Sequence, residues 1–79
     1  MSDVESQVVA VVAEHLGLEQ DEITRDSPFA TELGADSLDQ VGMMADFERI
    51  FSIRFPAGSI DRMKTIGEVV ALIESTRAA

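Results

Sequence analysis

The chain has 79 residues, enough for one domain but not for a catalytic cleft beside its own scaffold. With no cysteine and a single histidine, His15, it is excluded from disulfide scaffolds, thiolate zinc sites and multi-histidine metal centres. A formal net charge of −9 argues against nucleic acid or an anionic lipid surface as ligand and favours basic patches on protein partners.

No apolar run approaches the roughly 20 residues of a membrane span. Met1-Ser2-Asp3 places an acid where a secretory signal carries bases. The expectation is a soluble cytoplasmic monomer, and the ends at Met1 and Ala79 suggest a freestanding protein forming one domain over residues 1–79. The charge is uneven: residues 1–48 hold twelve acids and the single base Arg25, whereas residues from 49 onward hold five bases and three acids. The acidic part is either a solvated surface or a docking face.

Ser2 and Glu5 have the spacing of a capping box, which predicts a first helix beginning there. Val4, Val8, Val11, Val12 and Leu16 form one helical stripe that Gly17 ends. His15, in the last turn, suits the negative end of the helix dipole and is expected at the surface. Leu18 to Ala35 is a long connection whose apolar anchors Leu18, Ile23, Phe29 and Leu33 imply a packed loop. Ser27-Pro28 can open a single helical turn within it, ending at Gly34.

The second helix is expected over Ser37–Phe51 with Asp36 as its N-cap. Leu38, Val41 and Ala45 are assigned to one edge of its buried face, which Met44, Phe47 and Phe51 widen. Gly42 costs this helix roughly 0.5–1 kcal/mol relative to alanine, so either the loss is tolerated or something approaches closely there. Ile53 and Phe55 tuck inward from a short extended link that Pro56 keeps from being helical. Ile60 and Met63 suggest a short turn, loosened by Gly58. Thr65 and Glu68 form another capping box, and Ile66, Val69, Val70 and Ile73 stripe a final helix ending near Arg77. The expected fold is all-α, a small bundle of three main helices plus one or two short helical turns and a long first loop.

Ser37 is the residue that draws attention. As a catalytic nucleophile it lacks company, since there is one histidine, no Gly-x-Ser-x-Gly elbow and no room for a substrate pocket. Asp36 and Asp39 are better explained as cap and dipole partner than as a hydrolytic or metal-binding pair. The chain is therefore not expected to be an enzyme. A phosphate esterified to Ser37 would instead sit at the positive end of a helix, a favourable place for an anion.

Leu33-Gly34-Ala35-Asp36-Ser37-Leu38-Asp39 resembles the prosthetic-group attachment motif of acyl carrier proteins. The acidic small chain, the long first loop and the Phe55-Pro56 link extend that resemblance over nearly all of its length. The resemblance implies that a phosphopantetheinyl transferase uses coenzyme A to attach 4′-phosphopantetheine to Ser37, flanked by Asp36 and Leu38. The arm then presents acyl groups as thioesters to acyl-loading and acyl-processing enzymes of fatty-acid, polyketide or specialised lipid synthesis.

It also implies docking of basic partner patches on Asp36, Asp39, Asp46 and Glu48. Gly42, Met43, Arg49 and Arg54 depart from housekeeping fatty-acid carriers and are the candidate specificity positions. Met43, Met44 and Met63 either fill the core or line a space for an acyl chain. The alternatives are a peptidyl or aminoacyl carrier and an unmodified acidic adaptor that binds proteins.

Overall fold

The computed structural model describes residues 3–78, so the Ser2 half of the first capping box lies outside the described residues. Three helices form the bundle: α1 (Asp3–Leu16), α2 (Ser37–Phe51) and α3 (Ile66–Ala78). Short 3-10 turns lie at Gln20–Glu22 and Ser59–Arg62. The all-α expectation is met, with two minor turns. Among the described residues no helix is long and apolar enough to cross a membrane.

Helix α1 packs against both other helices. Its predicted stripe is buried at Val4, Val8 and Val12, and the face broadens to include Val9 and Ala13, with Val11 and Leu16 at its margins. Helix α3 buries Ile66, Val69, Val70 and Ile73 as expected, together with Leu72. Thr65 Oγ1 accepts the Glu68 amide at 3.2 Å, which caps the first turn of α3.

The long first loop is packed, as its anchors require: Ile23, Phe29 and Leu33 are buried. After Pro28 the chain makes one turn, with the Glu32 and Leu33 amides both donating to the Pro28 carbonyl, and then leaves it through Gly34 at φ +74°. This is a turn rather than a regular helix. The loop is also tied to the start of α3 in a way local spacing does not announce. The Phe29 amide donates to the Lys64 carbonyl at 3.0 Å, and the Gly67 amide to the Arg25 carbonyl at 2.8 Å. A Cβ on Gly67 would lie 3.2 Å from that Arg25 oxygen, so the missing side chain permits the approach.

Helix α2 occupies its predicted span, and Met44, Phe47 and Phe51 turn inward as expected, but the edge assigned to Leu38, Val41 and Ala45 does not. Leu38 is 81% exposed, Val41 54% exposed and Ala45 exposed as well, whereas Met43 is 2% and Phe47 1% exposed. The stripe turned inward runs through Gln40, Met43, Met44, Phe47 and Phe51. Leu38, Val41 and Ala45 have helical spacing too, on the opposite side. Both stripes satisfy the periodicity, and the two phenylalanines, the largest side chains available, go to the side facing α1 and α3.

Gly42 has a physical reason. The His15 ring lies over it, with Cε1 and Nε2 each 3.1 Å from where a Cβ would be, and His15 Nδ1 is 3.5 Å from Asp46 Oδ2. Helix α2 stops at Ser52, which takes the left-handed conformation at φ 55° without being glycine. Glu48 holds the following link, accepting the Phe55 amide at 2.8 Å.

The two faces of α2 make opposite demands on stability. Met43→Ala is expected to destabilise the protein by about 2–5 kcal/mol, and Leu38→Ala by no more than about 0.5 kcal/mol. Urea unfolding followed by circular dichroism measures both.

Candidate functional site

The start of α2 is defined by two aspartates that cap each other. Asp36 Oδ1 accepts the Asp39 amide at 2.8 Å, and Asp39 Oδ2 accepts the Asp36 amide at 3.2 Å. The cap at Asp36 is the one expected from the residue order, whereas the return bond from Asp39 is not. Because both carboxylates are engaged with backbone donors, Ser37 is spared capping duty. It sits at the first helical position, exposed, and its hydroxyl makes no hydrogen bond among the described residues.

The amides of Ser37 and Leu38 likewise have no partner there. Two free donors and the positive end of a fifteen-residue helix therefore surround the hydroxyl. A phosphoryl group on that oxygen is well placed electrostatically. Beside it a groove of about 420 Å³ runs between the first loop and the second 3-10 turn, lined by Thr31, Ser37, Gln40, Met63 and Lys64 among others. Thr31 and Lys64 are hydrogen-bond donors suited to a polar, anionic arm.

Gln40 and Met63 also line a small gap shared with Phe29, Met43, Phe47 and Val69. That space measures about 10 Å³, no more than a single water site. Met43 and Met63 are thus core fillers in this state, and Met44 is half-buried beside them.

The other residues singled out by the sequence are dispersed. Asp46 is half-buried between two nitrogenous neighbours, His15 and Arg49, with Arg49 Nη2 3.2 Å from Asp46 Oδ1. Glu48 is committed to the Phe55 amide. Gly42 is covered by His15, and Met43 is in the core, so neither presents a side chain to a partner. Arg54 is exposed but lies past the far end of α2. Leu38, expected as a buried anchor, is exposed directly beside Ser37. Among the described residues no cluster of three or more histidine, aspartate or glutamate side chains is positioned to hold a metal ion.

The family model described as the phosphopantetheine attachment site matches residues 6–73. The chain belongs to the acyl carrier protein family. Two curated relatives, each named acyl carrier protein and found in two strains of Porphyromonas gingivalis, are 40% identical to it over 74 residues. Those alignments span 94% of this chain and 95% of the relatives. As a member of this family the chain is a non-catalytic carrier of acyl groups on a covalent phosphopantetheine arm. Its partners are a phosphopantetheinyl transferase and acyl-processing enzymes. Membership removes the unmodified adaptor from consideration. The groove, the free hydroxyl and the helix terminus all fit such an arm.

Replacing the cap separates its two components. Asp36→Asn keeps a side-chain acceptor and is expected to change stability little, whereas Asp36→Ala is expected to cost about 0.5–2 kcal/mol. Thermal unfolding of the two variants distinguishes the loss of the cap from the loss of charge.

Proposed function

We propose that Ser37 is the attachment residue and that the surface of α2 around it receives the partner enzymes. The observation that carries this reading is the Ser37 hydroxyl itself, exposed in the first helical turn and left without a partner because Asp36 caps the helix. In the transfer, Ser37 Oγ forms the new phosphorus–oxygen bond and gives up its proton to a base on the transferase. The nucleotide half of coenzyme A departs as adenosine 3′,5′-bisphosphate. The free amides of Ser37 and Leu38 and the helix dipole stabilise the resulting phosphodiester charge. Once in place, the arm supplies a terminal thiol that holds acyl groups as thioesters.

Leu38, Val41 and Ala45 form an exposed apolar stripe at i, i+3 and i+7, next to Ser37 and flanked by Asp36 and Asp39. An apolar strip with acidic margins suits a shallow partner cleft rimmed by Lys or Arg, with the charges chiefly setting association rate and selectivity. Asp36 and Asp39 are the principal acids of this face. Asp46 and Glu48 are secondary, because each already spends its charge within the molecule. The specificity positions that remain at the surface are Arg49 and Arg54.

The carrier works as a monomer and as a single domain over residues 1–79, in the cytoplasm where coenzyme A is available. Its acidic balance disfavours nucleic acid as a partner. Arg49 and Arg54 support a dedicated lipid, polyketide or modification pathway in preference to bulk fatty-acid synthesis. The aspartate before Ser37 favours acyl over aminoacyl cargo.

Two experiments test this reading. Incubated with coenzyme A and a broad-specificity phosphopantetheinyl transferase, the wild-type protein is expected to gain the mass of one arm and Ser37→Ala to gain none. An equal gain in the variant removes Ser37 from its role. The pathway proposal predicts poor loading by the host's malonyl transferase and poor elongation by its fatty-acid synthases, and efficient turnover by both overturns it.

A further inference from the structure

The chain has six basic residues, and three of them meet at one groove. This groove, about 650 Å³, opens between the end of α2, the link after it, the second 3-10 turn and the last turns of α3. Phe51, Ile53 and Leu72 supply its apolar lining, and Arg54, Arg62 and Arg77 its charge. It lies at the opposite end of α2 from Ser37, about 20 Å away along the helix.

The positive charge here is not neutralised internally. Arg25 pairs with Glu5, and Arg49 with Asp46. The groove arginines make no ion pair among the described residues, although the chain carries fifteen acids. Asp61 and Glu68 line the adjoining groove with Arg62 without closing on it. Arg77 lies instead over the Phe51 ring, 5.6 Å from its centroid, presenting a cation against the apolar lining.

We propose that this groove docks an acidic segment of a partner protein. That segment sets carboxylates against Arg54, Arg62 and Arg77 and lays an apolar side chain on Phe51, Ile53 and Leu72. Guanidinium forks match carboxylates in bidentate geometry. All three arginines are exposed, and none is a desolvated polar group of the sort that orients a small ligand in a pocket. Exposed charge around an apolar floor is the pattern of a protein-docking surface. The surface is opposite in sign to the face around Ser37. A partner that meets both is held in one direction along α2, because reversing it brings like charges together.

Panning short random peptides against the apo protein, with counter-selection on an Arg54→Gln/Arg62→Gln/Arg77→Gln variant, tests the proposal. The enriched peptides are expected to combine Asp or Glu with Leu, Ile or Phe and to weaken with added salt. They are expected to bind the triple variant about tenfold less tightly or worse. In nuclear magnetic resonance they should shift the amides of Ile53, Arg54 and Leu72 rather than those of Ser37 to Asp39. The Arg54→Gln/Arg62→Gln double variant retains the Arg77–Phe51 contact and should lose affinity in the same direction, which separates docking from misfolding. Ser37→Ala should bind as wild type, so the outcome is independent of the attachment residue. The proposal is overturned if no acidic and apolar consensus emerges, or if the selected peptides bind the variants equally. It is also overturned if decanoate shifts the same amides at lower concentration than the peptides.

Discussion

A bundle this small, with no cysteine to form a disulfide, depends on the apolar face of α1 being covered from two sides. Val8 and Val12 have no solvent exposure, and Val4, Val9 and Ala13 have little. Two helices are needed to dehydrate a face that wide, and α2 and α3 supply them. The long loop closes what remains with Ile23, Phe29 and Leu33. Its two backbone hydrogen bonds to the Lys64 carbonyl and the Gly67 amide fasten it where α3 begins, so the loop is part of the packing and not a tether.

That arrangement has a direct consequence for α2. Once Met43 and Phe47 are drawn into the core, the helix must present Leu38, Val41 and Ala45 outward. A carrier whose partners bind and leave repeatedly benefits from an apolar strip too narrow to associate by itself but sufficient when a cleft and rim charges accompany it. The reciprocal cap between Asp36 and Asp39 completes the site. It fixes which residue is first in the helix and frees the Ser37 hydroxyl from backbone duties. In the proposed reading stability and docking share these aspartates, since the same carboxylates that start the helix border the surface beside Ser37.

The charge pattern follows the fold at a coarser scale. Acids crowd the first loop and the start of α2, while bases gather where the second 3-10 turn meets the end of α3. The molecule is therefore electrically polar along α2 as well as strongly acidic in total. The internal pair of Asp46 with Arg49 trims the acidic face at its middle and leaves its ends most distinct.

Much of this protein was legible in the residue order alone, because the signals involved are local. The three helices, their caps at Asp36 and Thr65, the stop at Gly17 and the exposed serine at the start of α2 each depend on neighbours within a few positions. Capping and helical periodicity act over that range. The tertiary structure decided what periodicity leaves degenerate. Helix α2 carries two apolar stripes, and only packing against α1 and α3 selected the one through Met43 and Phe47. It likewise decided that Gly42 makes room for His15 and that Glu48 is spent on Phe55. Three arginines at positions 54, 62 and 77 share one groove for the same reason. The His15–Gly42 approach and the meeting of Arg54 with Arg77 join residues far apart in the chain. Even Glu48 and Phe55 meet only because the chain turns back past the end of α2, so no rule of local periodicity brings these residues into contact.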